Sequence, residues 1–210
     1  MAKGAFMSMT PFKVTVDKKQ LLKELTVSNQ KQMGRALREE IKPKLKEKQE
    51  QLIKQFEIHP ITIEIDAGPR ASNSSGTLGG YGNLFSFIGF SSGSNPTDII
   101  KKIFSEKIKF KVRRVNATGK YKITFYIPSI KEIYGLTPLP WAAGQSWVNG
   151  IEKGMSNLGS YLYSASGYGS SVSGTGLQSE NKTSGVSFKN TPYVSRLLKN
   201  FKARLTRLNK

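Results

Sequence analysis

The run Asn73–Phe90, Asn-Ser-Ser-Gly-Thr-Leu-Gly-Gly-Tyr-Gly-Asn-Leu-Phe-Ser-Phe-Ile-Gly-Phe, constrains the fold more than any other stretch of the chain. Gly76, Gly79, Gly80 and Gly82 carry no Cβ, so the backbone there can take positive φ or pass close to a neighbour. Leu84, Phe85, Phe87, Ile88 and Phe90 then put apolar side chains on both faces of a strand-length segment. A strand apolar on both faces has to be covered on two sides. The run is therefore predicted to be the central strand of one domain, its glycine loop shaped by another part of the chain or by another subunit.

Around it the pattern is mixed α and β. Residues 1–16 read as an extended lead-in with alternating Phe12-Lys13-Val14-Thr15-Val16. Asp17 with Gln20 forms a capping-box pattern. Leu22, Leu25, Met33, Leu37, Ile41, Leu45, Leu52 and Phe56 then follow at helical spacing. Pro43 lies inside this stripe without breaking its phase, which predicts one kinked helix rather than two. His59-Pro60 ends it. Ile61, Ile63 and Ile65 alternate with polar residues and favour a short strand, with a helical turn starting at Pro60 as the rival. Asn95-Pro96 opens a helix bearing Ile99, Ile100, Ile103 and Phe104.

The clearest β signal is a hairpin. Ile108, Phe110 and Val112 alternate with Lys107, Lys109, Lys111 and Arg113, and after Asn116–Gly119 Tyr121, Ile123, Phe125 and Ile127 alternate with Lys120, Lys122 and Thr124. One face is buried and the other strongly cationic, with Tyr126 on the cationic side. Two readings of that face stay open: a solvated lysine-rich surface, or a surface for a polyanion bound through its phosphates. Beyond Pro138 and Pro140 a last domain helix is predicted over about 141–163, with Trp147, Val148, Ile151, Met155, Leu158 and Leu162 on one face and Gly150 and Gly154 one turn apart.

Composition changes at Ser164, and 164–191 is a Ser/Gly-rich arm. The chain closes with a basic amphipathic helix over 192–210, its stripe made by Val194, Leu197, Leu198, Phe201, Leu205 and Leu208. A lone helix of this length is marginal in water, so this one is expected to dock on a partner. A membrane-surface role is the alternative, and the tether favours a protein partner. The fold class is α+β: a long N-terminal helix and a C-terminal helix packed on a small antiparallel sheet over 17–163, then the arm and the basic tail.

Lysine and arginine number 33 against 14 acidic residues, a formal charge of +19 that implies a polyanionic neighbour, nucleic acid or an acidic protein surface, or else a basic tail. With no cysteine, thiol catalysis and thiolate metal sites are excluded. His59, the single histidine, sits at an element boundary with no assignable nucleophile. Glu64 and Asp66 would share a strand face but make an incomplete metal set. No Gly-Lys-Ser/Thr follows the glycine loop, so it is not a phosphate loop. Neither enzyme activity, nor a cofactor, nor a membrane span is expected; an intracellular or virion setting is.

Together the long helix, Ser75-Gly76-Thr77-Leu78, Asn83–Phe90, the cationic hairpin and Pro140-Trp141, Ser146-Trp147 and Gly150-Ile151 resemble the neck or tail-completion proteins of tailed bacteriophages, over about residues 17–163. The Pro43 kink and the long arm with its basic helix depart from the family's common pattern. The resemblance implies a structural virion subunit in a homo-oligomeric ring at the head–tail junction, assembled in the host cytoplasm, joining connector to tail around the DNA channel. Ser75, Gly76, Thr77, Leu78, Gly79, Gly80, Tyr81 and Gly82 would then form a loop contacting the neighbouring copy. Lys107, Lys109, Lys111, Arg113, Lys120 and Lys122 would face DNA, and the C-terminal stripe would clasp an adjacent connector or tail protein. The reading from another class is a monomeric, non-sequence-specific nucleic-acid-binding protein.

Overall fold

α1 (Gln30–Glu57) organises a computed structural model that describes residues 10–14, 30–79, 83–115, 120–140, 142–154 and 188–207. Met33, Leu37, Ile41, Leu45, Leu52 and Phe56 are all buried along one side of it, and the helix runs on through Pro43. The stripe holds the helix against the core, which offsets the donor that proline lacks. Gln49 replaces an apolar residue in that stripe for a reason. Its side-chain amide donates to the carbonyls of Phe104 at 3.2 Å and Ile108 at 3.4 Å, closing the C-terminal end of a neighbouring helix. Asp17, Gln20, Leu22, Leu25, Met155, Leu158, Leu162, Leu208 and most of the 164–191 arm lie outside the described residues.

Two predicted strands are helices. Ile61–Ile65 belongs to α2 (Pro60–Asp66), the rival reading, begun by a proline in its first turn and by His59, whose Nδ1 accepts from the Ile61 N–H at 3.3 Å. Ile61 and Ile65, one turn apart, are buried, while Ile63 faces out. The apolar run after the glycine loop is α3 (Leu84–Ile88), not a central strand. Asn83 caps it by accepting from Ser86 N–H at 2.9 Å, and Gly89 ends it in the left-handed conformation at φ 83°. Leu84, Phe85, Phe87 and Ile88 are buried on one broad face of this short helix, with Ser86 half-buried on the other.

The sheet has another centre. β1 (Thr10–Val14), β2 (Lys109–Arg114) and β3 (Tyr121–Ile127) form an antiparallel sheet in the order β1-β3-β2. The lead-in expected outside the domain is thus an edge strand of it, Thr10 pairing with Ile127 and Val14 with Ile123. Val112, Ile123, Phe125 and Ile127 enter the core, and Tyr121 on the same side meets α1 at Gly34. α4 (Asp98–Glu106) precedes the hairpin with Ile100, Ile103 and Phe104 buried, but its N-cap is Thr97, so the predicted Asn95-Pro96 start lies in the turn before it.

A helix not foreseen, α5 (Ile130–Leu136), follows β3 and is started by a capping box of Ser129 and Glu132. A two-stranded ribbon, β4 (Pro138–Leu139) with β5 (Ala142–Ser146), leads to α6 (Trp147–Lys153). α6 begins six residues later than the helix predicted from 141, where the Ser146 hydroxyl accepts from Asn149 N–H. It closes at Gly154, φ 89°, where a Cβ would meet the Asn190 side chain at 3.1 Å.

The C-terminal helix α7 (Val194–Thr206) does not wait for another chain. Val194, Leu197, Leu198, Phe201 and Leu205 are buried in the same core cluster as α1 and the sheet, so the tail predicted as a separate unit is part of the body. Each such side chain contributes about 1.5–3 kcal/mol on burial, which is what a short isolated helix lacks. Tyr193 anchors its start, fully buried, with its hydroxyl bonded to Thr62 and its ring stacked on Phe56 at 5.6 Å. α7 has no side-chain cap of its own; Glu152 of α6 supplies one, accepting from Tyr193 N–H at 3.1 Å and Ser195 N–H at 2.7 Å. The other oxygen of Glu152 accepts from the Tyr134 hydroxyl at 2.6 Å. Burial, reinforced by this bond, holds that hydroxyl's pKa well above the usual tyrosine range.

Candidate nucleic-acid interface

The pleat of β2 and β3 decides which charges share a face. Lys109 stands opposite Tyr126, Lys111 opposite Thr124 and Arg113 opposite Lys122. Beyond the last ladder pair, Val115 N–H donates to the Lys120 carbonyl at 2.8 Å, which carries Lys120 onto the same face. Alternate residues of one strand lie about 6.6–6.8 Å apart, so Lys109, Lys111 and Arg113 form a row, with Lys122 and Lys120 beside its far end. Lys109, Lys111, Arg113 and Lys120 are exposed and Lys122 half-buried. Among the described residues no carboxylate lies within ion-pair distance of any of the five. The register also puts Lys13 of β1 opposite Thr124.

Lys107, the sixth residue predicted for this surface, is not on it. It is the C-terminal cap of α4, with helical backbone and its N–H bonded to the Ile103 carbonyl at 3.0 Å. Tyr126 is the aromatic side chain on the cationic face, half-buried between its strands. Base stacking uses successive exposed aromatic faces, and here Phe110 and Phe125 pack with each other on the core side, ring centroids 6.4 Å apart. The chemistry on offer is point charges at phosphate spacing, which position a nucleic acid without reading its sequence.

The glycine loop is tied down within the chain. Glu64 of α2, 1% exposed, accepts from Ser75 N–H and from Leu84 N–H, each at 2.8 Å, and so clamps both ends of the loop. Ser75 donates to the Thr77 hydroxyl at 2.8 Å, and the Thr77 carbonyl accepts from Lys189 N–H at 2.9 Å. Thr77 and Leu78 are fully buried. The residues of the loop left open to a neighbour are Gly76 and Gly79, at φ 64° and 61°; Gly80, Tyr81 and Gly82 lie outside the described residues. Sequence reasoning missed Glu64 and Glu152 because their partners are backbone N–H groups far along the chain.

Glu64 and Asp66 do not form a metal pair. They sit on a helix, and Asp66 is engaged by the Thr97 hydroxyl and by Lys101 at 3.2 Å. His59 is a helix cap whose pKa is lowered, first by burial and then by the nearby Arg196 charge. No helix among the described residues is long and apolar enough to cross a membrane. Comparison of the chain with known protein families, curated proteins and solved structures gave no match.

Proposed function

We propose that this chain is a non-enzymatic structural protein of a tailed-phage virion, a homo-oligomeric subunit at the head–tail junction that turns the cationic face of its sheet toward the DNA backbone. The observation carrying this reading is the one-sided sheet: one face closes the core, and the other gathers Lys109, Lys111, Arg113, Lys120 and Lys122 with no acid within ion-pair distance among the described residues. A buried inner face fixes the register, so the cations are held in a row. Three carboxyl groups are occupied structurally, Glu64 and Glu152 by backbone N–H groups and Asp66 by Thr97 and Lys101. The place at the neck comes from the family resemblance.

A second reading, a monomeric nucleic-acid-binding protein, is favoured by α7, whose apolar stripe is satisfied inside its own chain. Light scattering coupled to size exclusion, followed by electron microscopy of the peak, separates the two. Closed rings at micromolar protein support the neck reading. A monodisperse monomer that stays monomeric with duplex DNA bound refutes it and leaves the second.

A further inference from the structure

The corner between α1 and α2 leaves apolar surface uncovered. Ile58 is 60% exposed and Ile63 48%, with Pro60 exposed between them. Nothing in the fold requires this. α2 is held by Ile61 and Ile65 on its inner side, and a polar residue would serve equally at Ile63.

The start of α7 adjoins this corner. The His59 ring lies 4.7 Å from that of Tyr193, and Arg196, one turn into α7, is close enough to act electrostatically on His59. α7 exposes Arg196 and Lys199, with Lys202 and Arg204 half-buried and the exposed Arg207 as its C-cap, and contains no acid. None of these cations has a carboxylate within ion-pair distance among the described residues. Three lysines of α1 differ: Lys44 pairs with Glu40, Lys46 with Glu50 and Lys48 with Glu47. At the corner itself the acids are Glu57, which is exposed, and Asp66, already taken by Thr97 and Lys101.

We propose that Ile58, Pro60 and Ile63, together with Arg196 and Lys199, form a docking surface for an acidic protein segment that carries a bulky apolar side chain. Charge and apolarity together select this partner. A phosphate backbone would use the cations but gain nothing from the isoleucines, and a wholly apolar partner would leave the arginine and lysine desolvated without a counter-charge. An apolar anchor ringed by charge complementarity is how a short segment gains both affinity and orientation. This surface shares no residue with the cationic sheet face and does not depend on the role proposed for it.

The test is fluorescence anisotropy with the full chain and three labelled probes: a peptide of glutamates interspersed with leucine and phenylalanine, about 15 residues long, an all-glutamate peptide of equal charge, and a short DNA duplex. Ile58→Ser with Ile63→Ser, and separately Arg196→Gln with Lys199→Gln, are expected to weaken the amphipathic peptide by about tenfold or more while leaving duplex affinity within about twofold. Lys109→Gln with Lys111→Gln and Arg113→Gln should do the reverse. Far-ultraviolet circular dichroism confirms that each variant is folded. The proposal is overturned if the amphipathic peptide does not bind, if the all-glutamate peptide binds as well, if the isoleucine variant binds it unchanged, or if the Arg196 and Lys199 variant loses duplex affinity equally.

Discussion

Replacing Glu64 should unfasten the glycine loop from the body. Its two carboxyl oxygens accept one backbone N–H each, from Ser75 and from Leu84 at 2.8 Å, in a site 1% exposed. Glu64→Gln keeps one acceptor and turns an amide NH2 against the other N–H. A hydrogen bond to a carboxylate is worth about 1.5–3 kcal/mol, so a loss of roughly 2–3 kcal/mol is expected. Glu64→Leu orphans both N–H groups at about 1–3 kcal/mol each, which makes a loss of about 2–6 kcal/mol. Against a total stability of about 5–15 kcal/mol, the second variant would be marginal. Urea unfolding followed by the fluorescence of Trp147, which is buried, measures both. The urea dependence should stay constant while the midpoint falls. Hydrogen exchange at Ser75 and Leu84 should accelerate ahead of the core strands. Glu64→Gln within about 0.5 kcal/mol of the parent, with those amides still protected, would refute the clamp.

Further outcomes follow from other contacts. His59 has its pKa lowered from 6.5 by burial and by Arg196, so below about pH 6.5 the unfolded chain takes up a proton that the folded chain refuses. Stability is complete above that pH and falls as pH drops below it; His59→Asn, which keeps a capping acceptor, should flatten the fall in a comparison of urea midpoints across this window. Phe201→Ala should cost about 3–5 kcal/mol, and Tyr193→Phe about 1–2 kcal/mol by leaving the Thr62 hydroxyl buried without its partner. Both are read from thermal melts, and a neutral Phe201→Ala would contradict docking of α7 within its own chain. Pro43→Ala should raise stability by up to about 3 kcal/mol, because α1 is already continuous across that position.

How legible the fold was depended on whether a residue's partner lay nearby in sequence. The stripe of α1 and the alternation of the β2–β3 hairpin repeat along the chain, so their buried faces could be read directly. The run Leu84–Ile88 is too short for periodicity to assign, since four apolar residues around a single serine fit a buried strand or a buried helix. The deciding signals were the flanks, Asn83 as cap and Gly89 as left-handed stop. The triplet Ile61, Ile63, Ile65 has period two, but its outer members are also one helical turn apart, and the His59-Pro60 start settles the matter. The five charges of the candidate interface were legible because β register follows from alternation. Lys107 fell away because the helix before it extends one residue further than the alternation implied. The clamps made by Glu64 and Glu152 were invisible, since a carboxyl group bonded to backbone 11 or 43 residues away leaves no local pattern. The α7 stripe was recognised as apolar, but whether such a stripe is covered by its own chain or by another is a question of tertiary packing.

The most direct measurement of the central claim is the salt dependence of duplex DNA binding by the parent chain and by the Lys109→Gln, Lys111→Gln, Arg113→Gln variant. Each phosphate neutralised on a duplex adds about 0.9 to the slope of log affinity against log salt. Removing three of the five cations on the sheet face should therefore make that slope shallower by roughly 2.7 and weaken binding alike for every duplex sequence. An unchanged slope, or a loss confined to one sequence, would contradict a phosphate-binding role for this face.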